Sequence, residues 1–142
     1  MGFTIKLKKE DLNRLHRHAK EEYPKECCGI LVGLIGFEKE IKEVHECRNI
    51  SVIANSYEIH PDDMYKVDKE TRDKGLEVIG FYHSHPDRPP TPCPDTDRDR
   101  EMALPGYFYL IISIHEGSKV SQKCWIWDEK SKKFQEEDLV LV

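Results

Sequence analysis

The sequence predicts an α+β fold built from several strands, two long helices and one short helix. Apolar runs of strand length recur along the chain, in residues 26–37, 76–82 and 107–115. Two other segments, residues 8–22 and 61–75, place apolar side chains at helical spacing. No internal repeat or linker interrupts this pattern, so residues 1–142 are predicted to form a single domain.

The first half of the chain is predicted to open with a short strand in residues 3–7. The helix that follows, residues 8–22, places Leu12 and Leu15 on one face. The apolar strand after this helix and a more polar strand, residues 40–48, are expected to pair as neighbours in a meander.

A second helix and the remaining strands follow in the second half. A short strand is predicted in residues 57–60, directly before a helix that Pro61 opens and Gly75 ends. The apolar run that leads into residue 83 is predicted to be a buried central strand. The last three strands are predicted in residues 107–115, 120–128 and 134–142.

Composition and charge exclude several classes of function. The chain has 22 basic and 27 acidic residues, which are interspersed, and a formal net charge of −5. A surface that follows nucleic-acid phosphates needs clustered basic residues, so nucleic acid is not an expected partner. No apolar run is long enough to span a bilayer, so no membrane association is expected.

The cysteines favour a reducing compartment. Their number is five, which is odd, and no Cys-x-x-Cys pair occurs among them. A cytoplasmic location with free thiols is therefore expected. The adjacent Cys27 and Cys28 are predicted to be small buried side chains rather than nucleophiles.

The stretch Tyr82-His83-Ser84-His85-Pro86 carries the first candidate site. Successive side chains of a strand point to opposite faces, so His83 and His85 share a face and Ser84 points the other way. Two imidazoles presented side by side form half of a divalent-metal site. The alternative is that the pair is only packed or hydrogen-bonded, because His-x-His also occurs by chance.

Two further segments could complete the site. Glu26 stands at the mouth of the early apolar strand, either as a solvated end residue or as a carboxylate held near the histidines. Residues 87–95 contain four prolines and are predicted to be a stiff loop that shapes a groove or simply connects two elements. A short helix, residues 96–104, is predicted to begin with Thr96 as N-cap and to carry Asp99 at its third position.

Together these motifs resemble the JAMM/MPN family of zinc-dependent isopeptidases, in its small prokaryotic single-domain type. The family pattern is an early Glu, then His-x-His-Pro, then Ser-x-x-Asp. It is carried here by Glu26 in Pro-x-Glu-Cys-Cys-Gly, by His-Ser-His-Pro at residues 83–86 and by Pro-Gly-Tyr at residues 105–107. The resemblance implies an α/β/α-like MPN fold, with a central mixed, mostly antiparallel, curved β-sheet flanked by two long helices and a short motif helix.

The sequence departs from the family pattern in the proline-rich loop. The usual spacing would place the family serine at Cys93 and the ligand aspartate at Thr96. Counting back from Pro105 instead makes Asp99 the ligand and puts Thr96, a hydroxyl residue, in the serine position. The alternative register selects Asp97, but it leaves a proline where a hydroxyl is needed, so Asp99 is preferred.

The resemblance implies Zn²⁺ bound by His83, His85 and Asp99, with Glu26 as general base and the Thr96 hydroxyl stabilising the oxyanion. It implies as partner a ubiquitin-like or sulfur-carrier protein with a C-terminal Gly-Gly, hydrolysed after the diglycine. Whether that bond is a peptide or an isopeptide bond stays open, as does the oligomeric state, a homodimer included. The alternative function is a catalytically inactive MPN-like scaffold that binds a protein partner.

Overall fold

The computed structural model describes residues 4–36, 38–92 and 104–142. Within them the chain forms seven strands and two helices, in agreement with the predicted helices and with most of the predicted strands. In chain order these elements are β1 (Thr4–Leu7), α1 (Lys9–Glu22), β2 (Cys28–Ile35), β3 (Lys39–Cys47), α2 (Pro61–Asp73), β4 (Glu77–Pro86), β5 (Phe108–His115), β6 (Lys119–Asp128) and β7 (Lys133–Leu141).

The strands close into a barrel in the order β1-β3-β2-β4-β5-β6-β7. Strand β1 runs parallel to both β3 and β7, and β4 runs parallel to β5. The other neighbouring pairs are antiparallel. The expected curved sheet flanked by helices is therefore wrong, because β1 bonds to a partner on each side and leaves the sheet without a free edge.

Two further expectations differ from the structure or lie outside it. The strand predicted in residues 57–60 is reduced to an isolated bridge between Asn49 and Ile59. The short helix predicted in residues 96–104 lies, except for its last residue, outside the described residues. In the part of the chain that is described, neither helix is long and apolar enough to cross a membrane.

Strands β2 and β4 are neighbours in the barrel, and each contributes side chains to two core clusters. Alternate residues of β2 enter different clusters, as the period of two in a strand requires. Leu31 packs in the cluster that contains Leu12 and Leu15 of α1, whereas Ile30 packs in the cluster that contains Val67 of α2. Burial on both sides holds the ends of these two strands, where the candidate site lies.

Gly29 allows the closest approach within this core. A Cβ atom at this position would overlap the ring of Tyr82 and the backbone carbonyl of His45. Tyr82 is fully buried and its hydroxyl lies 2.8 Å from Nδ1 of His18 in α1. The absence of a side chain at Gly29 thus makes room for the tyrosine that links β4 to α1.

Candidate functional site

The antiparallel pairing of β2 with β4 determines which residues meet at the site. Cys28 lies opposite His83 in the register of the two strands. Directly opposite residues of an antiparallel pair share a face. Continued by two residues, the same register places Glu26 opposite His85, on the face that both histidines share.

Ser84, on the opposite face of β4, hydrogen-bonds to the residue directly before β2. Its backbone N–H donates to the carbonyl of Cys27 at 3.1 Å, and its side-chain Oγ accepts from the N–H of Cys27 at 2.8 Å. Both residues are buried. The position of Glu26, one residue earlier, is therefore tied directly to the histidine strand.

The two imidazoles are buried and converge on one point. His83 and His85 are each 2% exposed, and their Nε2 atoms are 3.1 Å apart. The ring of Tyr57 stacks on His83 with the ring centroids 4.4 Å apart. Nδ1 of His85 lies 2.9 Å from the carbonyl oxygen of Pro89. Because a carbonyl only accepts, Nδ1 carries the proton in this contact, and Nε2 of a neutral ring then carries a lone pair.

The Glu26 carboxylate is also buried, with its side chain 3% exposed. Nη2 of Arg88 donates to its Oε2 at 2.6 Å. The backbone carbonyl of Glu26 accepts from Nδ2 of Asn49 at 3.0 Å. Burial of an ionised carboxylate is tolerated where an opposite charge offsets its lost hydration, and the Arg88 guanidinium supplies that charge here.

The loop after β4 is attached to the barrel at its first residue. Oδ2 of Asp87 accepts from the hydroxyl of Tyr23 at 2.6 Å, and its Oδ1 accepts from the backbone N–H of Glu116 at 2.8 Å. These two hydrogen bonds hold the pKa of Asp87 below its ordinary value, since both favour the carboxylate. The loop therefore leaves β4 in a defined direction, toward Glu26.

The described cysteines are buried, which confirms the prediction made for Cys27 and Cys28. Burial raises the pKa of Cys27 and of Cys47 to about 12. It also raises the pKa of Cys28 and of Cys124. A thiol that stays protonated at neutral pH is a poor nucleophile, so these side chains do not offer thiolate catalysis.

Open space adjoins the Glu26 end of the site. A cleft of about 510 Å³ and a second of about 440 Å³ both include Glu26 in their walls. The first is bordered by the segment that follows β3, in which Val52 and Ile53 expose apolar side chains. The open space therefore lies next to the residue whose carboxylate is buried.

The structure brings together three of the residues predicted for the site and is silent on the rest. His83 and His85 meet at the end of β4, and the register of β2 with β4, continued past Cys28, places Glu26 on the same face. The other predicted residues lie outside the described ranges, and they are Thr96, Asp97 and Asp99. Among the residues that are described, no group of three or more His, Cys, Asp or Glu side chains could hold a metal ion.

Sequence reasoning missed the neighbours that hold these side chains. The sequence places Arg88 in a proline-rich loop and Tyr57 in a short strand, and it assigns no role to Asn49. A basic residue three positions after a histidine ligand candidate is a weak signal by itself. Its contact with Glu26, 62 residues earlier in the chain, is visible only in the folded structure.

Comparison with known sequences gives a consistent assignment. The sequence model of a family described as prokaryotic homologs of the JAB domain matches residues 8–126. A desampylase of Haloferax volcanii is 32% identical over 117 residues, which cover 79% of this chain and 81% of that protein.

Solved structures agree with this comparison. The solution structure of a protein from Desulfitobacterium hafniense is similar with a TM-score of 0.84 and 28% identity, over 97% of this chain and 92% of that chain. The crystal structure of a JAB1/MPN domain protein from Archaeoglobus fulgidus is similar with a TM-score of 0.60 and 19% identity, over 99% and 96% of the two chains. The second likeness concerns the fold alone.

Proposed function

The chain belongs to the family of prokaryotic JAB domains, and from this premise we propose that it is a zinc-dependent hydrolase of ubiquitin-like or sulfur-carrier proteins. The proposed cleavage follows the C-terminal Gly-Gly of the substrate. The observation that carries the proposal is the pair of buried imidazoles of His83 and His85, which converge on the face that Glu26 shares. A relative named desampylase supports a hydrolase of this kind.

The geometry of the imidazoles supports zinc as the metal. Two nitrogens bound at about 2.0–2.1 Å to one tetrahedral zinc lie about 3.3–3.4 Å apart. The distance between the Nε2 atoms of His83 and His85 is 3.1 Å, which is close to this value. The contact of His85 with Pro89 matches the partner that a zinc-bound imidazole needs on its other nitrogen. We propose Asp99 as the third ligand, with Asp97 as the alternative.

The side chains around the pair have separate roles in the proposed reaction. The chemistry supplied by zinc, when bound, is Lewis acidity toward a water molecule and a carbonyl oxygen. Glu26 would accept a proton from the attacking water as general base and donate it to the leaving amine. The Thr96 hydroxyl would donate a hydrogen bond to the carbonyl oxygen as negative charge develops there.

The proposal is tested with the full chain and two substrates. One substrate is a ubiquitin-like protein whose Gly-Gly is followed by a short peptide, and the other is the same protein joined through Gly-Gly to a lysine side chain. The wild type is expected to release the extension from one or both. Glu26→Ala should retain zinc and lose about 10²–10⁴-fold in turnover, because it removes the general base and leaves the proposed zinc ligands in place.

The control is Glu21→Ala, which removes an exposed carboxylate of α1 and should hydrolyse as the wild type does. Products are followed by mass spectrometry and zinc by elemental analysis. Undiminished turnover in zinc-replete Glu26→Ala would contradict the assigned base. A wild type that holds no zinc after dialysis and cleaves neither substrate would support the scaffold alternative.

A further inference from the structure

Arg88 and Glu26 form an ion pair beside the site. Its Nη2–Oε2 distance of 2.6 Å is that of a short, charge-assisted hydrogen bond. The carboxylate is 3% exposed and the guanidinium side chain 26% exposed. The pair thus joins a buried acid to a cation at the rim of the site, and it differs from the exposed ion pairs elsewhere on the surface.

The backbone that carries Arg88 is held in place on both sides of the residue. Oγ of Ser113 in β5 donates to the carbonyl of Arg88 at 2.5 Å. Nε1 of Trp125 in β6 donates to the carbonyl of Pro90 at 3.0 Å. The N–H of Asp87 donates to the carbonyl of Ile114 at 2.8 Å. The guanidinium therefore extends from a fixed origin, which is what a positioning group requires.

The backbone at the other end of the pair is fixed as well. Asn49 binds the carbonyl of Glu26, and Ser84 binds the N–H and the carbonyl of the next residue. A carboxylate is planar, so a bond that holds Oε2 also determines where Oε1 points. With the main chain fixed at both ends, the Arg88 contact restricts the torsions of the Glu26 side chain.

We propose that Arg88 is a positioning residue for the general base, an inference that rests on the proposed hydrolase function. The guanidinium binds Oε2 of Glu26, stabilises its ionised form inside the site and directs Oε1 toward the proton it accepts. Arginine suits this role because its charge is permanent and its nitrogens lie in a rigid plane. Two other roles make different predictions. If Arg88 blocked the base, Arg88→Gln would raise kcat. If Arg88 bound the substrate, Arg88→Gln would raise KM alone.

The kinetic test compares Arg88→Gln, Arg88→Lys and the wild type. Loss of an orienting partner of this kind costs about 10–100-fold, so kcat of Arg88→Gln should fall by that factor while KM and zinc content stay unchanged. Arg88→Lys keeps the charge and should recover part of the loss. The control is Arg72→Gln, which breaks an exposed ion pair with Asp68 on α2 and should leave kcat unchanged.

A second readout needs neither zinc nor substrate. Thermal unfolding of the zinc-free proteins is measured for Arg88→Gln, for Glu26→Gln and for the double variant. Because Arg88→Gln leaves a buried carboxylate without this cation, the double variant should melt at a higher temperature than Arg88→Gln alone.

The outcomes distinguish a failure of the positioning role of Arg88 from a failure of the proposed hydrolase function. Additive shifts in melting temperature, an unchanged or raised kcat in Arg88→Gln, or a rise in KM alone would each overturn the positioning role in an active enzyme. Absence of hydrolysis in the wild type and in Arg72→Gln would instead overturn the proposed function itself, and the role of Arg88 with it.

Discussion

Replacing Ser84 by alanine tests whether the hydroxyl between the two histidines fastens β4 to the start of β2. Its Oγ accepts a hydrogen bond of 2.8 Å from the N–H of Cys27, a residue that is 1% exposed. Ser84→Ala removes this acceptor and leaves the buried N–H without it. A buried polar group that loses its partner costs about 1–3 kcal/mol of the free energy of unfolding.

The size of the protein converts this cost into a change in melting temperature. An unfolding entropy of about 2.1 cal/mol/K per residue gives about 300 cal/mol/K for the 142 residues. Each kcal/mol then corresponds to about 3 °C, so Ser84→Ala should lower the melting temperature by about 3–10 °C. Calorimetry or circular dichroism of the zinc-free protein measures this shift.

The matched control is Ser121→Ala, which removes an exposed hydroxyl from β6 and should change the free energy of unfolding by no more than about 0.5 kcal/mol. Hydrogen exchange adds a local measurement, because the Cys27 amide should exchange faster in Ser84→Ala than in the wild type. Equal melting temperatures for the two variants, with the Cys27 amide still protected, would refute the reasoning.

Two further predictions concern packing and pH. Gly29→Ala should lower the free energy of unfolding, measured with denaturant, toward the upper end of about 1–3 kcal/mol, because its Cβ would overlap the Tyr82 ring and a backbone carbonyl. The control is Gly36→Ala, whose Cβ would meet nothing within 4 Å. Equal losses of stability in the two variants would contradict the steric argument. Hydrogen bonds from Arg48 lower the pKa of Asp63 below its ordinary 3.8, so the stability that Asp63 contributes is present above that value and is lost as the pH falls through the lowered pKa. Asp63→Asn should therefore lower the melting temperature at about pH 6, and the difference from the wild type should shrink toward about pH 3; a difference independent of pH would count against the ion pair.

Local periodicity was sufficient to predict much of this protein. The apolar runs predicted β2, β4 and β5, and helical spacing with its end signals predicted α1 and α2. The alternation of side chains in a strand also predicted that His83 and His85 share a face. These features depend on residues close together in the chain, so a single sequence contains the information they need.

Pairing between distant segments could not be predicted in this way. The pattern marks β1 as a strand, but only the folded chain shows that it bonds to both β3 and β7 and closes the sheet. The roles proposed for Thr96 and Asp99 stay predictions, since both residues lie outside the described ranges.

The sequence by itself thus determined both long helices, most of the strands, the family motifs and the histidine pair on one face. The tertiary structure alone decided that Glu26 lies across from His85, that Ser84 fastens their strands, and that Arg88 binds the carboxylate. Each of these contacts joins residues about 60 positions apart. Their formation depends on strand register and on burial between two cores, and neither is a property of any local stretch of sequence.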